Sequence, residues 1–193
     1  MNNPDTFHES LKYIQQKTID ILNTVTRKDI EKINRWFFKA NRIFVYGAGR
    51  SGLVSKAFAI RLVHLGFQTF VIGETIGAPV KKGDLVCIVS GSGETIPAVM
   101  TAEIAKNLGA SLMVVTGKKQ SRITKFADIA VVLTAECTEK VRKKFAPLGT
   151  LFEASAWIFF DGIIAELMKN KKRLRNQCDH ATQHSNHHRL YSS

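Results

Sequence analysis

The sequence predicts an α/β fold: a three-layer αβα sandwich in which helices cover both faces of a five-stranded parallel sheet. Short apolar segments alternate along the chain with longer segments whose apolar residues recur at helical spacing. Residues 85–89 are apolar throughout, as expected for a parallel strand that is covered on both faces. Small loops rich in glycine and serine follow two of the apolar segments, which is typical of the ligand-binding edge of such a sheet.

The length and composition are those of one globular domain. The chain has 193 residues, of which 45% are hydrophobic and 23% charged, enough for a hydrophobic core. We expect a single domain over 1–193, with N-terminal helices in 1–40, an α/β core in 41–168 and a basic, His-rich segment in 169–193. The three cysteines are unclustered, which argues against a disulfide framework or a zinc site.

The net charge of +12 is compatible with nucleic acid or with a small anionic substrate. Because the charge follows no single stripe and no nucleic-acid motif occurs, we expect no nucleic-acid partner. The N-terminus lacks the pattern of a signal peptide. The most apolar long stretch, residues 148–168, contains three acidic residues, so we expect no membrane span and a cytoplasmic protein.

The first half of the chain contains two helices, a strand, a third helix and a second strand. Apolar residues at helical spacing predict helices over 7–25 and 28–40, which would cover the sheet edge or pair with another subunit. A strand over 42–46, a helix over 51–65 and a strand over 68–72 follow.

The second half continues the alternation and ends in a long helix. The predicted segments are a strand over 85–89, a helix over 95–108, a strand over 112–115, a short helix over 121–126, a strand over 129–133 and, after a polar basic link, a helix from about 151 to 168.

A hydroxyl-rich loop lies between the third strand and the helix after it. Such a helix start offers unpaired N–H groups and the positive end of the helix dipole, and glycines let the backbone approach an anion. A helix cap would need only one hydroxyl, whereas this loop has three, so it predicts a phosphate site. Its residues are Ser90, Gly91, Ser92, Gly93, Glu94 and Thr95.

Another glycine loop, earlier in the chain, follows the first strand and opens the third helix. It matches the pattern G-x-G-x-x-G of dinucleotide-binding folds, and Glu74 lies about where a ribose-binding acid would be sought. A dinucleotide site would not require the second, hydroxyl-rich loop, so a compact phosphorylated ligand suits the two loops better. A tight turn without a ligand remains an alternative. The loop reads Gly47, Ala48, Gly49, Arg50, Ser51, Gly52.

These segments resemble sugar isomerase (SIS) domains. The glycine and serine loops are joined in the resemblance by residues 61–66, 71–75 and 115–118. The combination with residues 146–153 resembles the 6-phospho-3-hexuloisomerase branch. The resemblance covers about residues 10–180 and implies a flavodoxin-like sheet order.

The resemblance also implies an activity and an assembly. The reaction would interconvert 3-hexulose 6-phosphate and fructose 6-phosphate through an enediol, as in ribulose monophosphate formaldehyde fixation, without metal or cofactor. The protein would be a homo-oligomer, with a tetramer favoured. The phosphosugar would be bound by Gly47, Gly49, Arg50, Ser51, Gly52, Ser90, Gly91, Ser92, Gly93, Glu94 and Thr95.

Glu153 is the predicted catalytic base. Moving a carbonyl along a sugar requires removal of a proton beside it and return of the proton to the neighbouring carbon, which one carboxylate can do. The resemblance places that carboxylate at Glu153. The spacing from Thr150 to Glu153 is equally that of a helix capping box, and spacing alone favours the cap.

His180 is the second catalytic candidate. Asp179, His180 and Ala181 resemble the Arg-His-Ala of this family, where a histidine could help to open the sugar ring, including in a neighbouring subunit's site. Asp179 and His184 depart from the family pattern, which expects Arg and Glu. An ordinary polar-segment histidine, and a non-catalytic phosphosugar-binding regulator, therefore remain alternatives. The spacing of His180, His184 and His188 would suit a metal only if another ligand type joined them.

Two further residues have simpler interpretations. His64 lies between apolar residues of the third helix and is predicted to lie in the core. Lys118 follows the fourth strand and is predicted to be a solvent-exposed loop charge.

Overall fold

The computed structural model describes the backbone of residues 5–134 and 136–189, and the side chains of these segments up to Lys172. Six α-helices, five strands and one short 3-10 helix occur within this range. In chain order they are α1 Thr6–Leu22, α2 Arg27–Lys39, β1 Ile43–Gly47, α3 Gly49–His64, β2 Thr69–Val71, β3 Leu85–Ser90, α4 Ile96–Asn107, β4 Ser111–Thr116, the 3-10 helix Ile123–Lys125, β5 Ile129–Val132, α5 Glu139–Phe145 and α6 Thr150–Arg189.

The strands form one parallel sheet in the order β2-β1-β3-β4-β5, which confirms the predicted fold class. All six residues of the central strand β3 are buried, as its apolar sequence predicts. Burial raises the pKa of the Cys87 thiol, which lies in the middle of this strand and packs as an apolar side chain.

Side chains alternate between two cores because successive strand residues point to opposite faces. On one face, Val45 and Val115 pack with apolar side chains of α3 and α6, including Phe58 and Phe160, whose rings stack 4.1 Å apart. On the other face, strand residues pack against the small residues of α4, such as Ala102. Helices α3 and α4 therefore lie on opposite faces of the sheet.

Helices α1 and α2 cover the same face as α3 and α6. Their residues Ile21 and Phe37 are fully buried in that core. Arg27, on α2, donates a 2.6 Å hydrogen bond from Nη1 to Glu166 on α6, and this pairing holds the pKa of the Glu166 carboxyl below its usual value. The helices thus cover a sheet face.

Two predictions about the C-terminal part were wrong. The link after β5 contains helix α5, whose seven residues include five charged ones and only two apolar ones, too few to predict a helix. Helix α6 does not end near Met168 but continues to Arg189. Apolar residues become scarce after Met168, but no glycine or proline occurs between Ile163 and Arg189. The sequence therefore contains no signal that stops the helix there.

Candidate active site

Strands β1 and β3 are neighbours in the sheet, and the chain leaves them in opposite directions. Helix α3, after β1, packs on one face, and α4, after β3, packs on the other. In parallel α/β sheets, ligands bind in the crevice at such a point, outside the carboxyl ends of the strands. Both glycine loops lie at this edge, together with the segments that follow β4 and β5.

The first loop, residues 47–52 after β1, uses two of its glycines for close backbone packing. A Cβ on Gly47 would lie 2.7 Å from backbone atoms of Ser51, and a Cβ on Gly52 would lie 2.6 Å from the Gly47 carbonyl oxygen. Gly49 has a φ of +57° and begins α3. These glycines allow β1 and α3 to approach closely, and Ser51 faces the cavity described below.

In the second loop, residues 90–95 after β3, serine hydroxyls accept hydrogen bonds from the loop's own backbone. The buried Ser90 hydroxyl accepts a 3.2 Å hydrogen bond from the N–H of Gly93, which has a φ of +66°. The Ser92 hydroxyl accepts from the N–H of Glu94 at 3.2 Å and lies 3.4 Å from Oγ1 of Thr95. The Ser90 hydroxyl is therefore engaged inside the loop, whereas Ser92 and Thr95 face the cavity.

Helix α4 starts directly after this loop. Thr95 occupies the N-cap position, and within the described chain no side chain caps the helix. The loop hydroxyls are thus not explained by helix capping. Glu94 does not line the cavity that is described below. It accepts a 3.0 Å hydrogen bond from the N–H of Arg122.

The capping-box interpretation of Thr150 and Glu153 is wrong. Helix α6 begins at Thr150 itself, and the Thr150 hydroxyl donates to the Pro147 carbonyl at 2.6 Å. The Glu153 N–H donates to the Gly149 carbonyl at 2.9 Å. The Glu153 carboxylate is therefore not used as a cap. It lies over Gly149, where an added Cβ would come within 2.9 Å of its Oε1 atom.

Glu153 forms an ion pair with Arg50, in which Nε of Arg50 donates to Oε2 of Glu153. The Glu153 side chain is only 12% exposed, whereas the Arg50 side chain is 69% exposed. The pair joins the first loop to the start of α6.

A cavity of about 570 Å³ collects the chemically active groups, and its size suits a small ligand. The Ser51, Ser92 and Thr95 hydroxyls and the Glu153 carboxylate line it together. Phe152 closes it against the loop backbone, since a Cβ on Gly91 would lie 2.9 Å from the Phe152 ring. A neighbouring cavity of about 360 Å³ is lined by Arg50 and also by Glu153, which stands between the two.

Two cationic residues of the larger cavity were not predicted as site residues. Lys118 follows β4 and, although exposed, lines the cavity. Arg142, on α5, also lines it and donates from Nη1 to the Leu148 carbonyl at 2.8 Å. Their positions after the carboxyl ends of β4 and β5 were the available signal.

Two other expectations differ from the structure or fall elsewhere. His64 is exposed at the end of α3, so its predicted core position is wrong; its helix turns that side chain away from the sheet. Glu74 pairs with Lys56 at 2.5 Å on the surface and does not line the larger cavity.

The His180 side chain and the other tail histidines lie outside the described side chains, so their roles remain predictions. Among the side chains that are described, no three His, Cys, Asp or Glu residues cluster as a metal site. In the same part of the chain, no single helix is long and apolar enough to cross a membrane. Helix α5 with residues 150–172 would pass by length and composition, but the two helices meet at 72°.

Comparison with known proteins places this geometry in a family. The family model described as SIS domain matches residues 37–150, which include both glycine loops, strands β1 to β5 and the Pro147–Thr150 turn. The chain belongs to the SIS domain family. The resemblance seen in the sequence is thereby confirmed.

Relatives within the SIS family carry a more specific name. A 3-hexulose-6-phosphate isomerase of Bacillus subtilis is 36% identical over 150 residues, which cover 76% of this chain and 81% of that protein. One from Methylomonas aminofaciens is 35% identical over 159 residues, covering 82% and 88%.

Solved structures share the fold. A Methanococcus jannaschii protein, whose structure infers a function of 3-hexulose-6-phosphate isomerase, has a TM-score of 0.76 at 32% identity and covers 85% of this chain and 92% of its own. The Vibrio vulnificus NanR protein complexed with ManNAc-6P has a TM-score of 0.74 at 18% identity, covering 99% of this chain and 72% of its own. At that identity the likeness shows the SIS fold alone.

Proposed function

We propose that this SIS protein is a phosphosugar isomerase that interconverts 3-hexulose 6-phosphate and fructose 6-phosphate. The observation that carries the proposal is a carboxylate, Glu153, on the wall of the same cavity as the hydroxyls of Ser51, Ser92 and Thr95. Relatives at 35% and 36% identity are named for this reaction, and their likeness extends over three quarters or more of the chain.

The phosphate would bind at the hydroxyl side of the cavity. Ser92 and Thr95 stand at the start of α4, where the open N–H groups of the first turn and the helix dipole favour an anion. Ser51, at the start of α3, adds a third hydroxyl, and Lys118 adds a positive charge beside them.

Glu153 would move the proton. Its carboxylate takes the proton from the carbon beside the carbonyl, and the C–H electron pair forms the double bond of the enediol while charge moves onto the carbonyl oxygen. The former carbonyl oxygen gains a proton as the hydroxyl on the neighbouring carbon loses one, and Glu153 returns its proton to the former carbonyl carbon, so that the carbonyl moves one position along the chain. This proton transfer calls for no metal or cofactor, and we propose none.

Two alternatives predict different outcomes. A non-catalytic regulator would bind phosphosugars without turnover, and the departures at Asp179 and His184 keep this alternative open. A dinucleotide-dependent oxidoreductase would need the first loop for a pyrophosphate. Gly47 and Gly52 are instead packed against each other's backbone, so the glycine pattern has a structural cause.

We further propose a homo-oligomer, and a tetramer in particular, in which His180 could reach a neighbouring site. Two exposed apolar surfaces on opposite sheet faces support this. One contains Leu53, Ile60 and Trp157 on α3 and α6, and the other contains Ile96, Met100 and Ile104 on α4 with Leu108 at its C-cap, each 47–65% exposed. A tetramer with two kinds of two-fold contact needs two such surfaces. Sedimentation equilibrium should give four times the chain mass of 21.5 kDa, and a monomer would contradict the proposal.

We place the protein in the cytoplasm and outside contact with nucleic acid or membranes. Cys87 and Cys137 are free thiols, which suits a reducing compartment. Conversion of a 3-hexulose phosphate would make it a step of ribulose monophosphate metabolism.

The proposed reaction is tested by incubating the protein with fructose 6-phosphate and following the sugar by NMR. The expected result is a 3-hexulose 6-phosphate signal whose initial rate of appearance rises with enzyme concentration. A rise in the melting midpoint with fructose 6-phosphate but no new sugar would favour the regulator. Saturable NAD binding in calorimetry, without an effect of the phosphosugar, would favour the oxidoreductase.

A further inference from the structure

Arg50 is attached to the predicted base but keeps most of its donors free. A guanidinium has five N–H donors in one plane. Within the described chain, the Arg50 guanidinium uses only Nε, which donates to Oε2 of Glu153. Both Nη amino groups therefore remain available to a ligand, and the side chain is 69% exposed.

The arrangement of the two cavities indicates which part of a ligand these free Nη groups would contact. The larger cavity contains the hydroxyl groups and Glu153, and the smaller one contains Glu153 and Arg50. A ligand with its phosphate at Ser92 and Thr95 and its carbon chain at Glu153, which lines both cavities, would bring its oxygens toward Arg50.

The carboxylate itself is held on two sides. Its Oε1 atom faces Gly149, where no side chain fills the space, and its Oε2 atom is bound by Arg50. Loss of Arg50 would leave Gly149 and the α6 backbone in place, so the effect should be local to the carboxylate and the substrate oxygens.

We infer that Arg50 is a second catalytic residue, whose free Nη groups bind the enediolate oxygens while its Nε orients Glu153. As Glu153 removes the proton, the electron pair of the C–H bond moves toward the carbonyl oxygen, and this oxygen becomes negative. A cation already in place there stabilises the charge without reorganisation. The guanidinium remains protonated throughout, and Glu153 returns the proton. This inference rests on the proposed isomerase function.

The test compares Arg50→Gln and Arg50→Lys with the wild-type protein in the fructose 6-phosphate assay. Arg50→Gln should lower kcat by about 100-fold, as loss of one oxyanion donor does, with KM changed less than about threefold. Arg50→Lys should recover part of kcat, and added guanidinium should partly rescue Arg50→Gln. The matched control Arg35→Gln removes an equal charge from an exposed position on α2 and should leave kcat unchanged.

Several outcomes would overturn the inference. An unchanged kcat, or a raised KM with normal kcat, would make Arg50 a simple binding residue. A melting midpoint lowered by more than about 5 °C without guanidinium rescue would mean that the ion pair is structural. If the wild-type protein itself fails to convert fructose 6-phosphate, the proposed function fails first, and the catalytic role of Arg50 fails with it.

Discussion

The two glycine loops at the carboxyl edge both contain a pair of glycines two residues apart but use their glycines differently. In the loop after β1, Gly47 and Gly52 bring two backbones together, with no room for a Cβ on either. In the loop after β3, the space at Gly91 is taken by the Phe152 ring, a side chain from α6. The first loop fastens a strand to a helix, and the second shapes a cavity wall.

This difference bears on which of the two patterns is the better evidence for a ligand. The G-x-G-x-x-G spacing arises here from packing of β1 on α3, which any tight strand-helix connection can require. The Ser92 and Thr95 residues line the cavity and neither caps α4, although the Ser92 hydroxyl also accepts a hydrogen bond from the N–H of Glu94. Hydroxyls that line a cavity and are not needed to cap a helix are the better indicator of a ligand.

The largest expected effect is on stability, from Gly52→Ala in the first loop. The added methyl group meets the Gly47 carbonyl oxygen at 2.6 Å, so β1 and α3 must separate. Overpacking of this kind costs about 3 kcal/mol, which lowers the melting midpoint by about 6–12 °C in a protein of this size. Thermal unfolding followed by circular dichroism measures this.

The matched control is Gly162→Ala, because a Cβ at Gly162 on α6 meets nothing within 4 Å. It should leave the melting midpoint unchanged or raise it slightly, since alanine favours a helix over glycine by about 0.5–1 kcal/mol. Equal melting midpoints for both variants would remove the contrast between the loops.

A smaller effect, on the rate alone, is expected from Gly149→Ala. The methyl group would lie 2.9 Å from Oε1 of Glu153, and a carboxylate at the end of a flexible side chain can move aside. Displacement of a catalytic group by about 1 Å can cost about 100-fold in rate. Steady-state kinetics should therefore show a reduced kcat, with a melting midpoint close to that of wild type. A normal kcat would argue that the observed carboxylate position is irrelevant to turnover.

The smallest effect is expected from loss of the cavity hydroxyls in the second loop. Ser92→Ala with Thr95→Val removes two hydroxyl donors to the phosphate, each worth about 1 kcal/mol once water takes its place. KM for fructose 6-phosphate should rise at least about tenfold while kcat stays near wild type. Thr101→Val, on the same helix but bonded to the Pro97 carbonyl, should leave KM unchanged. If both variants raise KM equally, the loop hydroxyls do not hold the phosphate.

Much of the fold was predictable because its signals are local. The apolar run of β3 and the glycines after β1 and β3 mark strands and loops within a few residues. Helix α5 was missed because it is short and five of its seven residues are charged, and Arg142 was missed with it. The end of α6 is hard to predict because apolar residues become scarce after Met168 although no glycine or proline stops the helix.

The site was only partly predictable because its decisive contacts are distant in sequence. Arg50 and Glu153 are 103 positions apart, and no spacing rule joins them. Whether Glu153 caps the helix depends on where α6 begins. The sequence does not reveal this start, whereas the structure does, because the Thr150 hydroxyl donates to the Pro147 carbonyl. The inward turn of the Ser90 hydroxyl is likewise a property of the folded loop.

We propose that Glu153 moves the proton of a phosphosugar held in the larger cavity, and the variant Glu153→Gln removes this function alone. The amide keeps the shape of the side chain but cannot accept the proton, and a general base contributes about 100- to 10,000-fold to the rate. The variant should convert fructose 6-phosphate at least about 100-fold more slowly while binding it within about threefold of wild type. A Glu153→Gln variant that converts fructose 6-phosphate at the wild-type rate would contradict the claim.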